Sequence, residues 1–442
     1  MQKSKPTILL ISSANPTIGP GIMSLNSYSA FKKAGYDIDL LTLYKCKSNP
    51  EFLYIYDNTT LLFKIVKIWL KLKTKIIALF FSLKDRVSIE PKDGYNFFYR
   101  DEENPPIPIK LVLSKINRKY DLVFINFWQG MLSFKTVDAI YEKLHCQFRF
   151  TFVDYSPMSG GCHFTNGCEK YQTGCGECPA FNSHNPKDFT YRNVLYRAKV
   201  YDKIQPVITG NSYMFSFYEK SYLLKDVKNW SKAFPIIDLS VFHPHDIKHC
   251  RYEYSIDNDA FVLLIGSQQL DNERKGVKYL ISALDLFYNS LTFEEKKQVL
   301  VVAIGENFDK IENKIKFKTK GLGFVNVQEL PKIYSMADLF LCSSINDAGP
   351  MMVNQSLCCG TPVVGFEMGA CLDAVKGNGT GYCVPVKDVQ AFAKSLQAYF
   401  YLPCAEKETI RQNCINYSQT IYSDEAFVKR VINSYNTSFV VH

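Results

Sequence analysis

Apolar runs of strand length alternate with amphipathic stretches along most of the chain. "KPTILLISSANP" opens with an apolar strand that enters a polar, glycine-containing loop, "SSANPTIGPGIMS". "SLNSYSAFKKAGY" follows with helical spacing and Gly35 as its stop, and "DIDLLTLY" is a second strand. "YDLVFINFW" and "FRFTFVDYS" predict further strands, separated by the helical "SFKTVDAIYEKL". This strand–loop–helix–strand order predicts a parallel sheet with crossover helices. Around Val241–Ala260 the text turns polar and irregular, which suits a domain boundary. Beyond it the pattern restarts with "AFVLLIGS", "KGVKYLISALDLFYN", "QVLVVAIG", "LPKIYSMA", "DLFLCSS", "GPMMVNQSLCCG" and "TPVVGF". The expectation is α/β: two Rossmann-like, doubly wound domains, 1–240 and 241–442, facing across a cleft. The last helix is expected to cross back. Ligands in such sheets sit at the carboxyl ends of the strands.

One segment fits neither domain. "LLFKIVKIWLKLKTKIIALFF", residues 61–81, is apolar, with Lys64, Lys67, Lys71 and Lys75 at mostly helical spacing. A spanning helix would not carry lysines through its centre. Two readings remain: a helix lying on an anionic membrane surface, or a core-facing helix with a solvated lysine stripe. The apolar residues are too many for one inward face, which favours the membrane.

Composition narrows the partners. The chain has 442 residues and a net charge of +9, with 47% hydrophobic and 21% charged residues, so it is globular. The charge favours an anionic partner, a nucleotide or a phospholipid surface; no nucleic-acid module is recognisable, and nucleic acid is not expected. "MQKSKPTILLISSANP" has an apolar run of strand length and no cleavage-like site, so a cytoplasmic protein is expected. There, 14 cysteines are more naturally thiols or metal ligands than disulfides.

Four of those cysteines crowd into the insert 156–181. Cys162, Cys168, Cys175 and Cys178 follow C-x5-C-x6-C-x2-C, with Gly161, Gly167, Gly174 and Gly176 beside the thiols. The pattern has the form of a closed thiolate site, which would make zinc structural. One or two disulfides, or free thiols with a redox role, are the alternatives. His163 would replace one cysteine as ligand, or pack, or contact substrate.

Two stretches suit a phosphate. "IGSQQLDNERKGVKYL" brings Arg274 and Lys275 to a loop after a strand, with Gly276 before a helix; a guanidinium fork, an ammonium and helix amides all attract phosphate. "SSINDAGPMMVNQSLCCGTPVVGF" places Asp347 after a strand, then Gly349 and Pro350 at a helix start whose first amides lack intrahelical acceptors.

These residues carry a resemblance. "ERKGVKYLISAL", "ELPKIYSMADLFLCSS", "GPMMVNQSLCCGTPVVGF" and "GNGTGYCVPVKDVQAFAKSL" fall in the order and spacing of the family 4 retaining glycosyltransferases of the GT-B fold. "PIIDLSVFHP" resembles that family's "NGID…F.P" signature, "GPG" its glycine loop, and "GGCH…GC…GC..CP" a branch of bacterial surface-polysaccharide enzymes. The resemblance implies that Arg274 and Lys275 bind the donor diphosphate and that Gly19 and Gly21 face it. It implies that Asp347 approaches the donor sugar, with Gly349, Pro350, Met351 and Met352 in the donor loop. Gln355 stands at the second acidic position of E-x7-E, where an amide bonds ribose without charge. Val153-Asp154 replaces a frequent His-Asp, and Asn126 replaces another frequent His. Asp154, Lys275 and Asp347 are the catalytic candidates.

The implied activity is retaining transfer of a sugar from a UDP- or GDP-sugar to a glycan or lipid-linked acceptor in polysaccharide biosynthesis, at the inner membrane face. No cofactor is expected for catalysis. A fold that kept sugar-nucleotide or glycan binding and lost the chemistry is the alternative.

Overall fold

The computed structural model describes residues 5–17, 19, 21–97, 101–232 and 234–438. It divides into two compact units. The first comprises residues 1–210, 214–233 and 427–442, the second residues 211–213 and 234–426. The break near 233 falls a few residues before the expected one at 240. The closing helix, Asp424–Ser438, starts in the second unit and continues in the first, where Phe427 packs against Phe31 and Phe124 at ring-centroid distances of 5.8 and 6.3 Å.

The strands of the first unit are β1 (Ile8–Ser12), β2 (Ile38–Tyr44), β3 (Leu53–Tyr56), β4 (Leu122–Phe127), β5 (Gln147–Thr151), β6 (Val207–Gly210) and β7 (Trp230–Lys232). They form one parallel sheet in the order β3-β2-β1-β4-β5-β6-β7. The second unit has β8 (Phe261–Gln269), β9 (Val299–Glu306), β10 (Lys318–Gly321), β11 (Leu339–Cys342), β12 (Val363–Phe366) and β13 (Gly381–Val384), ordered β10-β9-β8-β11-β12-β13 and again parallel. The order reverses between β1 and β4 in one sheet and between β8 and β11 in the other. Each reversal is a topological switch point, where the crossovers to either side diverge and leave a crevice.

Continuous apolar strands follow from helices covering both faces. In β8, Val262 and Leu264 enter one core with Val302, Val353 and Leu357, while Phe261, Leu263 and Ile265 enter the other with Leu280, Leu284 and Phe392. The period-2 pleat alone sends neighbours to opposite cores.

Segment 61–81 is helical, within a 25-residue helix, Leu61–Asp85. Thr60 caps its start by accepting from the Phe63 amide at 3.3 Å, and Arg86 ends it in a left-handed conformation (φ 55). One side of this helix is buried, at residues that include Ala78, Phe81 and Asp85, while much of its apolar surface is exposed. Among the described residues no helix is long and apolar enough to cross a membrane.

A buried ion pair secures the first unit around the cysteine-rich insert. Arg197 donates from Nε to Glu102 at 2.9 Å and from Nη1 to the Ser159 carbonyl at 2.7 Å, while Glu102 also accepts from the Phe134 amide at 2.7 Å. Both side chains are almost fully buried. Removing one partner strands the other charge. Arg197→Ala should therefore lower unfolding free energy by about 3–5 kcal/mol, measured by urea denaturation monitored through tryptophan fluorescence.

Candidate functional site

In the second unit a cavity of about 170 Å³ lies at the carboxyl ends of β8 and β11, the switch point of that sheet. Gly266, Ser267 and Gln268 line it from β8, and Cys342, Ser343 and Ser344 from the end of β11. Lys275 lines it from the loop after β8. Pro350, Met351 and Met352 line it from the first turn of the helix Met351–Cys358, where backbone amides lack intrahelical acceptors.

Why Lys275 reaches the cavity is a local matter. Asn272 accepts from the Arg274 amide at 3.1 Å and caps a single 3-10 turn, Glu273–Lys275. Gly276 then takes φ 66, and a Cβ there would sit 2.0 Å from the Ser343 carbonyl oxygen. Only glycine lets the loop press against the end of β11 in this way. Ser343 Oγ ties the contact by donating to the Lys275 carbonyl at 2.8 Å. Lys275 Nζ meets Asp347 Oδ2 at 2.6 Å, and Asp347 Oδ1 accepts from the Gly349 amide at 3.1 Å. The ammonium, the carboxylate and the turn into the helix are thus one connected group.

Arg274 behaves differently from its neighbour. Its Nη1 donates to the Asn346 carbonyl at 3.2 Å, and its own carbonyl accepts from the Ile345 amide at 2.8 Å. Burial pulls the guanidinium pKa below its usual value, with the Asp347 charge opposing. It braces the Asp347 loop and is not part of the cavity lining. Gln355 is likewise turned aside, its Oε1 accepting from the Tyr334 hydroxyl at 3.1 Å. Lys275, Pro350, Met351 and Met352 are therefore brought together at the cavity, with Asp347 and Gly349 bonded at its edge.

Sequence reasoning missed Asn211, Ser212 and Asp373. Asn211 Nδ2 donates to the Ala348 carbonyl, while the Ser212 amide and hydroxyl donate to Asp373 at 2.7 and 2.5 Å. The partners are 137 and 161 residues apart, so no local pattern announces them.

The remaining candidates belong to the first unit. Gly21 opens the helix Gly21–Lys33, where a Cβ would lie 1.8 Å from the Asn15 carbonyl oxygen, so the loop after β1 closes tightly on itself. Gly19, at φ 52, has open space around its Cβ position; Pro20, the middle of "GPG", lies outside the described residues. Asn126, at the end of β4, is buried and donates to Ser24 Oγ at 3.2 Å. Asp154 is buried too. Its Oδ1 accepts from the Ser156 amide at 2.7 Å, and its Oδ2 meets His163 Nδ1 at 2.9 Å. That contact engages His163 with a carboxylate, outside the lining of the cysteine cavity.

Cys162, Cys168, Cys175 and Cys178 line one small cavity of about 30 Å³, with Tyr95 and Tyr171. All four are free thiols. Burial pushes the Cys162 thiol up to about 11 and Cys178 up to about 12, and raises Cys175 as well. Cys175 (φ 62) and Glu177 (φ 41) fold the C-G-E-C step into a tight knuckle, in which the Gly160 amide donates to Cys175 Sγ at 3.3 Å. Among the described residues no three His, Cys, Asp or Glu side chains already stand as a metal site.

Known proteins share this architecture. Sucrose-phosphate synthase from Thermosynechococcus elongatus superposes with a TM-score of 0.64 at 16% identity, covering 99% of this chain and 100% of that one. HepE of Anabaena, solved with UDP and glucose, gives 0.57 at 12% identity, covering 98% and 100%. The fold is GT-B. Residues 253–420 match the family model of glycosyl transferases group 1. The match lies within the second unit, which is similar over that stretch to a glycosyltransferase group 1 domain. WcaC of Escherichia coli K12, named for colanic acid biosynthesis as a glycosyl transferase, is 24% identical over 280 residues, 58% of this chain and 61% of that protein. The curated relatives are matched over 56% to 64% of their own length.

The packing of Gly276 gives a direct test of the site. Gly276→Ala should cost about 1–3 kcal/mol through its left-handed backbone and the Ser343 contact. A thermal unfolding midpoint unchanged from wild type would contradict this geometry.

Proposed function

We propose that the chain is a retaining glycosyltransferase of the family 4 type, working in polysaccharide biosynthesis, with the diphosphate of a UDP- or GDP-sugar in the cavity at the ends of β8 and β11. One observation carries the reading: Lys275 lines that cavity beside the first turn of the helix Met351–Cys358, with its ammonium held by Asp347. An ammonium and aligned backbone amides favour the charge that develops on a departing diphosphate. The Anabaena neighbour solved with UDP and glucose supports a nucleotide-sugar donor, and the name of WcaC supports a glycan acceptor.

In the reaction the acceptor hydroxyl oxygen bonds the anomeric carbon on the face from which the nucleotide leaves. The bond from that carbon to the diphosphate oxygen breaks, its electron pair stays on the diphosphate, and the diphosphate takes the acceptor proton. Lys275 stabilises the leaving group, Asp347 holds Lys275 and approaches the donor sugar, and Asp154 orients a sugar of the acceptor or donor. No cofactor is called for in this scheme. The acceptor is a glycan, free or lipid-linked, and the cytoplasm supplies the donor.

Lys275→Ala leaves the Asp347 carboxylate unpaired where a diphosphate would bind. Donor affinity by calorimetry should fall about tenfold to a hundredfold, and transfer with it. Near-wild-type turnover in both Lys275→Ala and Asp347→Ala would overturn the assignment. The turned-aside Gln355 favours a second reading, a binding protein that lost the chemistry. Donor binding with neither transfer nor slow donor hydrolysis would select it.

We also propose that Cys162, Cys168, Cys175 and Cys178 take up a structural zinc ion. The donor set supports this: four thiols around one small cavity, beside a tight knuckle. Uptake would have to draw the thiols inward. Metal analysis of protein purified without a His-tag should find about one equivalent of zinc, and less than about half an equivalent would overturn the proposal.

A further inference from the structure

The helix Leu61–Asp85 is the part of the first unit that the proposed chemistry leaves unused. Its inner side is anchored. Phe81 is buried with Phe181 and Phe189, Asp85 Oδ2 accepts from Arg192 Nη2 at 2.8 Å, and Lys73 Nζ donates to the Pro105 carbonyl at 2.8 Å.

Its outer side is bare. Ile68, Trp69, Leu72, Ile76, Phe80 and Leu83 are each between 52% and 73% exposed. With 3.6 residues per turn they fall within one arc of about 120°. Apolar residues scattered singly over a surface need no explanation, but a contiguous stripe along one helix does.

The charge beside the stripe has one sign. Residues 58–84 contain six lysines and no Asp or Glu. Lys67, Lys71, Lys75 and Lys84 are exposed, whereas the Lys64 side chain lies outside the described residues. On the helical wheel Lys71 and Lys75 border one edge of the stripe and Lys84 the other. Lysine stems lie along apolar surface while their ammonium groups reach upward, and an all-cationic rim complements phosphate headgroups.

We propose that the helix Leu61–Asp85 lies in the plane of an anionic lipid bilayer, with the apolar stripe sunk at the headgroup–acyl boundary and the lysines on headgroup phosphates. The proposal does not rest on sugar transfer, so it stands or falls apart from the reading of the donor cavity.

The test is sedimentation of the full chain with vesicles of phosphatidylcholine, with and without phosphatidylglycerol. Partitioning should be at least about tenfold stronger with phosphatidylglycerol, and the combined Lys67→Glu, Lys71→Glu, Lys75→Glu variant should lower it about a hundredfold. Leu72→Ser, Ile76→Ser, Leu83→Ser should abolish binding to both vesicle types, with thermal unfolding and nucleotide binding as in wild type. Equal sedimentation with and without phosphatidylglycerol, or a charge-reversed variant that sediments like wild type, would overturn the proposal. A wild-type dimer in solution that the serine variant dissociates would overturn it as well, by making a second copy the occupant of the face.

Discussion

The geometry of the cavity at the ends of β8 and β11 depends on the approach of Gly276 to the carbonyl of Ser343. That contact brings the loop after β8 against the end of β11, and Lys275 reaches Asp347 only because the backbone beside it is pinned there. A salt bridge with both side chains partly exposed contributes little to stability. Its value is positional, since it fixes a flexible ammonium in one direction. Arg274, also partly buried, braces the Asp347 loop through the Asn346 carbonyl. Two neighbouring basic residues therefore divide the work, one facing the cavity and one supporting its wall.

In the first unit the polar interior does a comparable job. Arg197 and Glu102 join the Ser159 carbonyl to the start of the helix Phe134–Leu144, so the chain entering the cysteine-rich insert is held on both sides. Asp154 sits just before that insert and is paired with His163 inside it. Val153 directly precedes Asp154, and a histidine from nine residues further on reaches its carboxylate. A buried charge needs a partner, and the turns of the insert supply one.

The helix Leu61–Asp85 follows the opposite logic. Most surface helices bury their apolar stripe and expose their charges. Here part of the helix packs on the Phe181–Phe189 cluster while a second stripe stays outside, bordered by lysines. Such a surface is costly in water, and it becomes favourable where lipid replaces water.

Periodicity was enough to identify the long strands and several of the helices, because burial on both faces of a parallel sheet writes itself into continuous apolar runs. Spacing also located the loop of Arg274 and Lys275 and the turn at Gly349 and Pro350, since glycine and proline mark the turns that open the following helices. Edge strands were illegible: "KTKG" of β10 has no apolar signature and is a strand only through its pairing with β9. Which basic side chain faces the cavity, which residue pairs Asp154, and which side of the Leu61–Asp85 helix is bare were decided by tertiary structure alone. Each depends on contacts between residues distant in the chain or on which face is covered, and a local pattern carries no record of either.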